Sequence, residues 1–207
     1  MLSIIRELRG WPELQFAWAG NHALIEQSRS IVATQFLEGG GGVPEGDVLV
    51  MVDHDISWEP GDVYNIAHQA RKLGGIVSGV YPMRGFGMGV PIRASLSPEG
   101  VEHIAGSQKN VVTMADMVPA GFLAINKEVL FKIAEQEPRL KPKFNAEEGF
   151  IPFFHTLILN DELLSEDWAF CVRVKNAGFP IWADFGPTLR HTGEYEFKLE
   201  DGVRRLT

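Results

Sequence analysis

The sequence of 207 residues has a formal net charge of −8, which disfavours a broad electrostatic grip on nucleic acid or on an anionic membrane surface. Its one cysteine, Cys171, excludes an internal disulfide, and no apolar stretch approaches the length of a membrane span. Because the N-terminus shows no signal-peptide pattern, we expect a cytoplasmic protein. Its length and even composition predict a single domain over residues 1–207.

The N-terminal part of the chain alternates between helical and extended patterns. Residues 2–8 predict a short helix, and residues 14–18 predict a strand because large apolar side chains alternate with smaller or polar ones. Residues 24–37 carry apolar side chains at helical spacing and predict a second helix. The sequence therefore predicts a helix, a strand and a second helix before the strand that begins at residue 48.

The most informative segment is the apolar run at residues 48–52, which ends in two aspartates, Asp53 and Asp55. Such a run is typical of a strand buried on both faces, so the carboxylates lie where the strand leaves the core. In an open α/β sheet that edge binds ligands, and alternation directs both carboxylates to one side, where they could share a divalent cation with phosphate oxygens. A strand followed by a turn is the alternative, because Asp is also common in turns.

The pattern continues as a helix and a strand. Asp62 is predicted as the N-cap of a helix that ends near residue 74, and residues 76–81 predict another buried strand. This alternation predicts an α/β fold with a mostly parallel central sheet flanked by helices. Residues 84–106 lack periodicity and are interpreted as a lid or a loop that lines the substrate.

The C-terminal half repeats these elements and adds a second acidic pair. The predicted elements are a strand at residues 117–125, a helix at 127–135, an irregular stretch at 138–154, a helix at 165–178 and a strand at 179–183. Glu166 and Asp167 would begin the helix that Ser165 caps, although acidic residues commonly occupy that turn for helix stability alone. His191 follows the last strand, and a lone histidine is more often structural than a ligand.

Taken together and in order, these motifs carry a family resemblance. They are Asp53-His54-Asp55 after a buried strand, Ser165-Glu166-Asp167 at a helix start, the returning strand at residues 178–184, and Arg190-His191-Thr192-Gly193. The chain resembles nucleotide-sugar glycosyltransferases of the GT-A fold, close to family 2. Residues 26–33 are similar to the family's Ala-Arg-Asn helix, and the resemblance spans roughly residues 14–197.

The resemblance implies a site for a nucleotide-sugar donor, with a UDP-linked sugar expected, held through Mn²⁺ or Mg²⁺. By this resemblance Asp55 would bind the ion directly, and His191 matches the family's late metal-ligand histidine. Asp53 would reach the donor ribose, or the metal through water. Arg29 would lie near the donor base or phosphates.

The resemblance also implies an acceptor site at the second acidic pair. Asp167 would be the general base that takes the proton of the acceptor hydroxyl, and Glu166 would support it or bind the acceptor. Single displacement with such a base implies inversion at the anomeric carbon. The acceptor itself stays open between a saccharide, a lipid, a protein and a modified DNA base.

The chain departs from the family at its start. Relatives begin with a strand that helps to hold the nucleotide base, whereas residues 2–8 resemble the helix that follows it. We therefore expect a fold that lacks the family's first strand, because the start is truncated, another segment fills the slot, or donor binding is altered. An unpaired strand edge favours pairing with another chain, so a homo-oligomer is one expected outcome.

Three other functions compete with glycosyl transfer. A metal-dependent nucleotidyltransferase would commonly show a glycine-rich, basic phosphate loop near its start, which this sequence lacks. A non-catalytic carbohydrate- or nucleotide-binding module is favoured by the expected loss of the first strand. A metal-dependent hydrolase is disfavoured because the sequence has no clustered histidine ligands.

Overall fold

The computed structural model describes residues 2–18, 24–84, 89–93, 112–140, 149–193 and 196–198. Its helices are α1 (Leu2–Gly10), α2 (Ile25–Glu38), α3 (Asp62–Leu73), α4 (Lys127–Ala134) and α5 (Glu166–Asn176). Its strands are β1 (Val48–Val52), β2 (Ile56–Ser57), β3 (Ile76–Gly79), β4 (Val112–Met114), β5 (Phe122–Asn126), β6 (Leu157–Leu159), β7 (Glu162–Leu164), β8 (Ile181–Asp184), β9 (Arg190–Thr192) and β10 (Glu196–Lys198). The predicted α/β class is confirmed.

Five strands form the central sheet in the order β1-β5-β3-β8-β4. Only β3 and β8 pair in parallel, and the other three pairings are antiparallel. The prediction of a mostly parallel sheet is therefore wrong, because β5 inserts between β1 and β3 and runs against both. Apolar periodicity records which faces of a strand are buried, but it does not record which strand lies alongside or in which direction.

Helices cover both faces of this sheet, and the pleat divides its side chains between two cores. Leu123 and Ile125 of β5 pack with α2, α4 and α5 on one face. Phe122 and Ala124 of the same strand pack with α3 on the other face. Successive side chains of a strand point to opposite faces, so β5 contributes to both cores at once. No helix within the described ranges is long and apolar enough to cross a membrane.

A buried carboxylate joins the first helix to the third. The Glu7 side chain of α1 is fully buried and accepts hydrogen bonds from Gly61 N at 2.8 Å and Tyr64 N at 3.0 Å. These amides lie at the start of α3, where a helix leaves its N–H groups without partners. Trp11 stacks on the Tyr64 ring at a centroid distance of 5.3 Å. Glu7 therefore caps α3 from another helix, which the local sequence around α3 does not indicate.

Three local predictions differ from the structure. Residues 14–18 form no strand, and the Trp18 side chain is 82% exposed. Gly61, at φ 99°, is the N-cap residue of α3, and Asp62 begins the helix itself. The strand predicted at residues 117–125 is regular only from Phe122. Much of the loop predicted at residues 84–106 lies outside the described residues.

The described residues before β1 contain no strand, and β1 forms one edge of the central sheet. Among the strands that the structure describes, β4 forms the other edge and pairs with β8 alone.

Candidate functional site

The candidate site lies at the edge of the central sheet where β1, β3 and β8 end. These three strands run in the same direction, so the residues that follow them meet at one edge. Asp53 follows β1, and Tyr81 follows β3 after one intervening residue. The acid pair thus lies at the edge of the sheet where the sequence predicted it.

A second, small sheet brings His191 to this edge. The strand β9 pairs antiparallel with β2, with Ile56 opposite His191. Thr192 N also donates to the carbonyl of Asp55 at 2.8 Å. Because β2 directly follows Asp55, this pairing fixes the histidine beside the second aspartate of the motif. The structure therefore joins two motifs that are distant in sequence.

Asp55 and His191 form the candidate metal pair. Asp55 Oδ2 lies 3.5 Å from His191 Nε2, and the two side chains are only 14% and 16% exposed. His191 Nδ1 lies 3.0 Å from the Pro82 carbonyl oxygen, which can only accept, so Nδ1 carries the proton and Nε2 presents a lone pair. Burial lowers the pKa of His191, and the nearby Arg84 cation lowers it further, so the neutral ring is favoured.

The two donors fit a divalent ion. An ion at about 2.1 Å from each donor can bridge atoms separated by this distance, and a backbone carbonyl that fixes the opposite ring nitrogen is the usual support for a ligating histidine. Within the described ranges, no group of three or more His, Cys, Asp or Glu side chains is arranged to hold a metal. The remaining ligands would come from phosphate oxygens and water, as is usual for Mg²⁺ at diphosphates.

Arg84 contacts both members of this pair. Its Nε donates to His191 Nε2 at 3.0 Å, and its Nη2 forms an ion pair with Asp55 Oδ2. No sequence pattern indicates Arg84, because it begins an irregular segment that shows no periodicity. A cation is thus already in contact with the two acceptor atoms of the candidate metal pair.

The second part of the site is the Arg29 cluster, which consists of Arg29, Asp53 and Glu166. Arg29 Nη2 donates to both carboxylate oxygens of Asp53 at 2.8 Å, and Nη1 donates to Glu166 Oε1 at 2.7 Å. Burial lowers the pKa of Arg29, but the two carboxylates outweigh burial and raise it overall. Arg29 therefore ties α2 to the end of β1 and to the start of α5, and it occupies both oxygens of Asp53.

Tyr81 links the two parts of the site and was missed by sequence reasoning. Its ring packs edge-on against His191 at a centroid distance of 5.3 Å. Its hydroxyl accepts a hydrogen bond from Gly121 N at 3.0 Å. Burial raises the pKa of Tyr81, and the charges of Asp53 and Asp167 raise it further, so the phenol stays protonated. The sequence feature that could have indicated Tyr81 is its position at the end of a strand that lies near the acid pair.

Gly121 leaves the space that this arrangement requires. A Cβ at residue 121 would overlap the Tyr81 hydroxyl and would lie 3.1 Å from Asp53 Oδ2. Its N–H group bonds to Tyr81, and its carbonyl accepts from Asp53 N at 2.8 Å. The close approach of this backbone to two side chains explains why glycine stands here.

Asp167 lies in the first turn of α5, next to Glu166. Its Oδ1 accepts hydrogen bonds from the Ser165 hydroxyl and from Trp168 N, the latter at 2.8 Å. Ser165 is the N-cap residue as predicted, but its side chain bonds to Asp167 and not to a backbone amide. Since Asp167 directly follows Glu166, which Arg29 contacts, it lies beside the Arg29 cluster.

Comparison with known proteins supports the fold and not a particular activity. No family model matches the chain, and no curated protein matches it. The structure is similar to the crystal structure of A197 from STIV, with a TM-score of 0.58 and 16% sequence identity over 97% of this chain and 84% of that chain. At this identity the two proteins share a fold, and nothing about chemistry follows.

Proposed function

We propose that this protein is a metal-dependent, inverting glycosyltransferase of the GT-A type that transfers a sugar from a nucleotide-sugar to an acceptor hydroxyl. The observation that carries the proposal is the 3.5 Å approach of Asp55 Oδ2 to a deprotonated His191 Nε2 beside a buried acid-arginine cluster. Hard oxygen and imidazole donors at the ligand edge of an α/β sheet are suited to an ion that binds a diphosphate.

On the donor side, Asp55 and His191 would hold Mn²⁺ or Mg²⁺. When bound, such an ion stabilises the negative charge that develops on the leaving diphosphate. Asp53 would bind the donor ribose or contact the ion through water. Arg29 is 8% exposed and already engaged by two carboxylates, so its proposed role is to fix Asp53 in position and not to bind phosphate itself.

On the acceptor side, Asp167 would accept the proton of the attacking hydroxyl. A sugar hydroxyl is a poor nucleophile near neutral pH, and a positioned carboxylate contributes roughly 10²- to 10⁴-fold by general base catalysis. Its Oδ1 receives two hydrogen bonds from its own helix turn, which hold the carboxylate in one orientation. Glu166 would keep α5 in place through Arg29.

The first experiment is a screen of nucleotide-sugars with the full chain. Each donor is incubated with and without Mn²⁺, and the apparent melting temperature and the release of nucleoside diphosphate are both measured. We expect one nucleotide class to raise the melting temperature in a chelator-sensitive way, because a ligand that binds only the folded state stabilises it. The same donor should release its diphosphate slowly, with water as the acceptor.

Matched variants make the result specific. Asp55→Asn and His191→Ala should abolish the Mn²⁺-dependent shift and the release. Asp161→Asn is the control, because Asp161 is exposed at φ 65° in the turn between β6 and β7 and asparagine tolerates that conformation. Release of pyrophosphate or transfer of a nucleotidyl group would contradict glycosyl transfer and favour a nucleotidyltransferase. Full activity of Asp55→Asn would contradict the proposed metal site.

A further inference from the structure

We propose that Arg84 is a resident cation of the candidate metal pair, which a divalent ion must displace before it can bind Asp55 and His191. The inference rests on the proposed function, since it concerns the regulation of the same site. It adds that metal binding is a competition between two cations for one pair of acceptor atoms.

The contacts of Arg84 occupy the atoms that a metal needs. The lone pair of His191 Nε2 accepts from Arg84 Nε at 3.0 Å, and Asp55 Oδ2 pairs with Arg84 Nη2. A neutral imidazole has one lone pair in its ring plane, so Nε2 cannot accept from Arg84 and ligate a metal at the same time. The metal-bound and Arg84-bound states of this pair are therefore mutually exclusive at His191.

Arg84 is also able to leave. Its side chain is 52% exposed, whereas Asp55 is 14% exposed. The guanidinium could therefore move into water without disrupting the packing of the hydrophobic core. Asp55, by contrast, would be left with a largely buried and uncompensated charge whenever neither cation is present. The arginine thus keeps the pair compensated until an ion arrives.

The competition sets the size of the expected effect. A partly exposed ion pair such as Arg84–Asp55 contributes up to about 1 kcal/mol. When Arg84 occupies the site, the apparent affinity for the metal is the intrinsic affinity multiplied by the fraction of molecules in which the site is free. Removal of the competitor should therefore tighten metal binding about two- to fivefold.

The test is a titration with Mn²⁺ alone, with free Mn²⁺ followed by electron paramagnetic resonance at constant ionic strength. Arg84→Gln is compared with wild type and with Arg71→Gln. The control removes the same charge, but Arg71 pairs with Asp47 at the opposite end of β1. We expect Arg84→Gln to bind Mn²⁺ about two- to fivefold more tightly than wild type, and Arg71→Gln to match wild type. An affinity of Arg84→Gln that equals or falls below that of Arg71→Gln overturns the proposal.

Asp55→Asn separates failure of this inference from failure of the proposed function. If Asp55→Asn abolishes Mn²⁺ binding and Arg84→Gln leaves it unchanged, the metal site stands and only the competition is overturned. If Asp55→Asn keeps the wild-type affinity, or if wild type and Arg84→Gln both fail to bind, both proposals are overturned.

A second measurement does not depend on the folding of a variant. Wild-type protein labelled with ¹⁵N is titrated with diamagnetic Mg²⁺, and the Nε–H resonance of Arg84 is followed. Displacement from His191 should shift this resonance in step with Mg²⁺ occupancy, while the Arg71 Nε–H resonance stays constant. An Arg84 resonance that does not move as Mg²⁺ saturates the site overturns the competition.

Discussion

Arg29 donates from one nitrogen to both carboxylate oxygens of Asp53, at 2.8 Å each. This contact joins α2 to the end of β1 and holds the first aspartate of the motif in one orientation. Because the second nitrogen of the guanidinium donates to Glu166, one buried cation compensates two carboxylates. The stability of the fold and the geometry of the site therefore depend on the same side chain.

Replacing Arg29 should destabilise the protein strongly. Arg29→Ala leaves two partly buried carboxylates without a cation, and we expect a loss of about 2–4 kcal/mol in the free energy of unfolding. Urea denaturation measures the change. Arg71→Ala is the control, since Arg71 and Asp47 are both largely exposed, and it should cost less than about 0.5 kcal/mol. Equal costs for the two variants would contradict a structural role for the Arg29 cluster.

The pH dependence of stability should reveal Asp62. Burial raises the pKa of its carboxyl from 3.8 to about 6, although hydrogen bonds from Glu59 N and Thr188 N oppose the increase. The folded state thus binds this proton more tightly than the unfolded state. Its contribution to stability is complete below pH 3.8 and is lost as the pH rises through 6.

Asp62→Asn removes this titration while keeping an oxygen that can accept both hydrogen bonds. Because Asp62 is only partly buried, we discount the full value of the shift and expect the variant to be more stable than wild type by about 1–2 kcal/mol at pH 7.5 and equal to it near pH 3.5. Thermal or urea unfolding across that range measures the difference, with Asp161→Asn as the exposed control. A difference that does not depend on pH would show that Asp62 is ionised normally in the folded state.

Gly121 and Tyr81 should be energetically coupled. Gly121→Ala places a methyl group against the Tyr81 hydroxyl, and we expect a loss of about 1–3 kcal/mol from overpacking. In a Tyr81→Phe background the hydroxyl is absent, so the same substitution should cost markedly less. A double-mutant cycle of urea denaturation measures the coupling.

The control for this cycle is Gly10→Ala, since a Cβ at residue 10 would meet no atom within 4 Å. It should change stability by less than about 0.5 kcal/mol. Additive costs for Gly121→Ala and Tyr81→Phe would show that the methyl group is accommodated elsewhere and that Tyr81 does not require glycine beside it.

Local patterns of the sequence predicted the helices and the positions of the acidic motifs, and the family resemblance predicted that Asp55 and His191 act together. The helices and acidic motifs are encoded within a few neighbouring residues, and the pairing of Asp55 with His191 is encoded in the order of the family's motifs. The position of β5 between β1 and β3 was not predictable in this way, because strand pairing is decided by contacts between distant segments. Arg84 was missed for a related reason, since its partners follow other strands and its own segment has no periodicity.

Asp167→Asn tests the proposed base most directly. Asparagine keeps the Oδ1 atom that accepts from Ser165 and Trp168, so the fold and the binding of nucleotide with Mn²⁺ should be preserved. Donor hydrolysis and transfer should fall about 10²- to 10⁴-fold in kcat, because the carboxylate can no longer accept a proton. The measurement is release of nucleoside diphosphate at saturating donor, with Asp161→Asn as the matched control. A kcat within about threefold of wild type would place the base elsewhere. If wild-type protein binds nucleotide with Mn²⁺ but turns over no donor, the chain is a binding module that carries the geometry of a transferase.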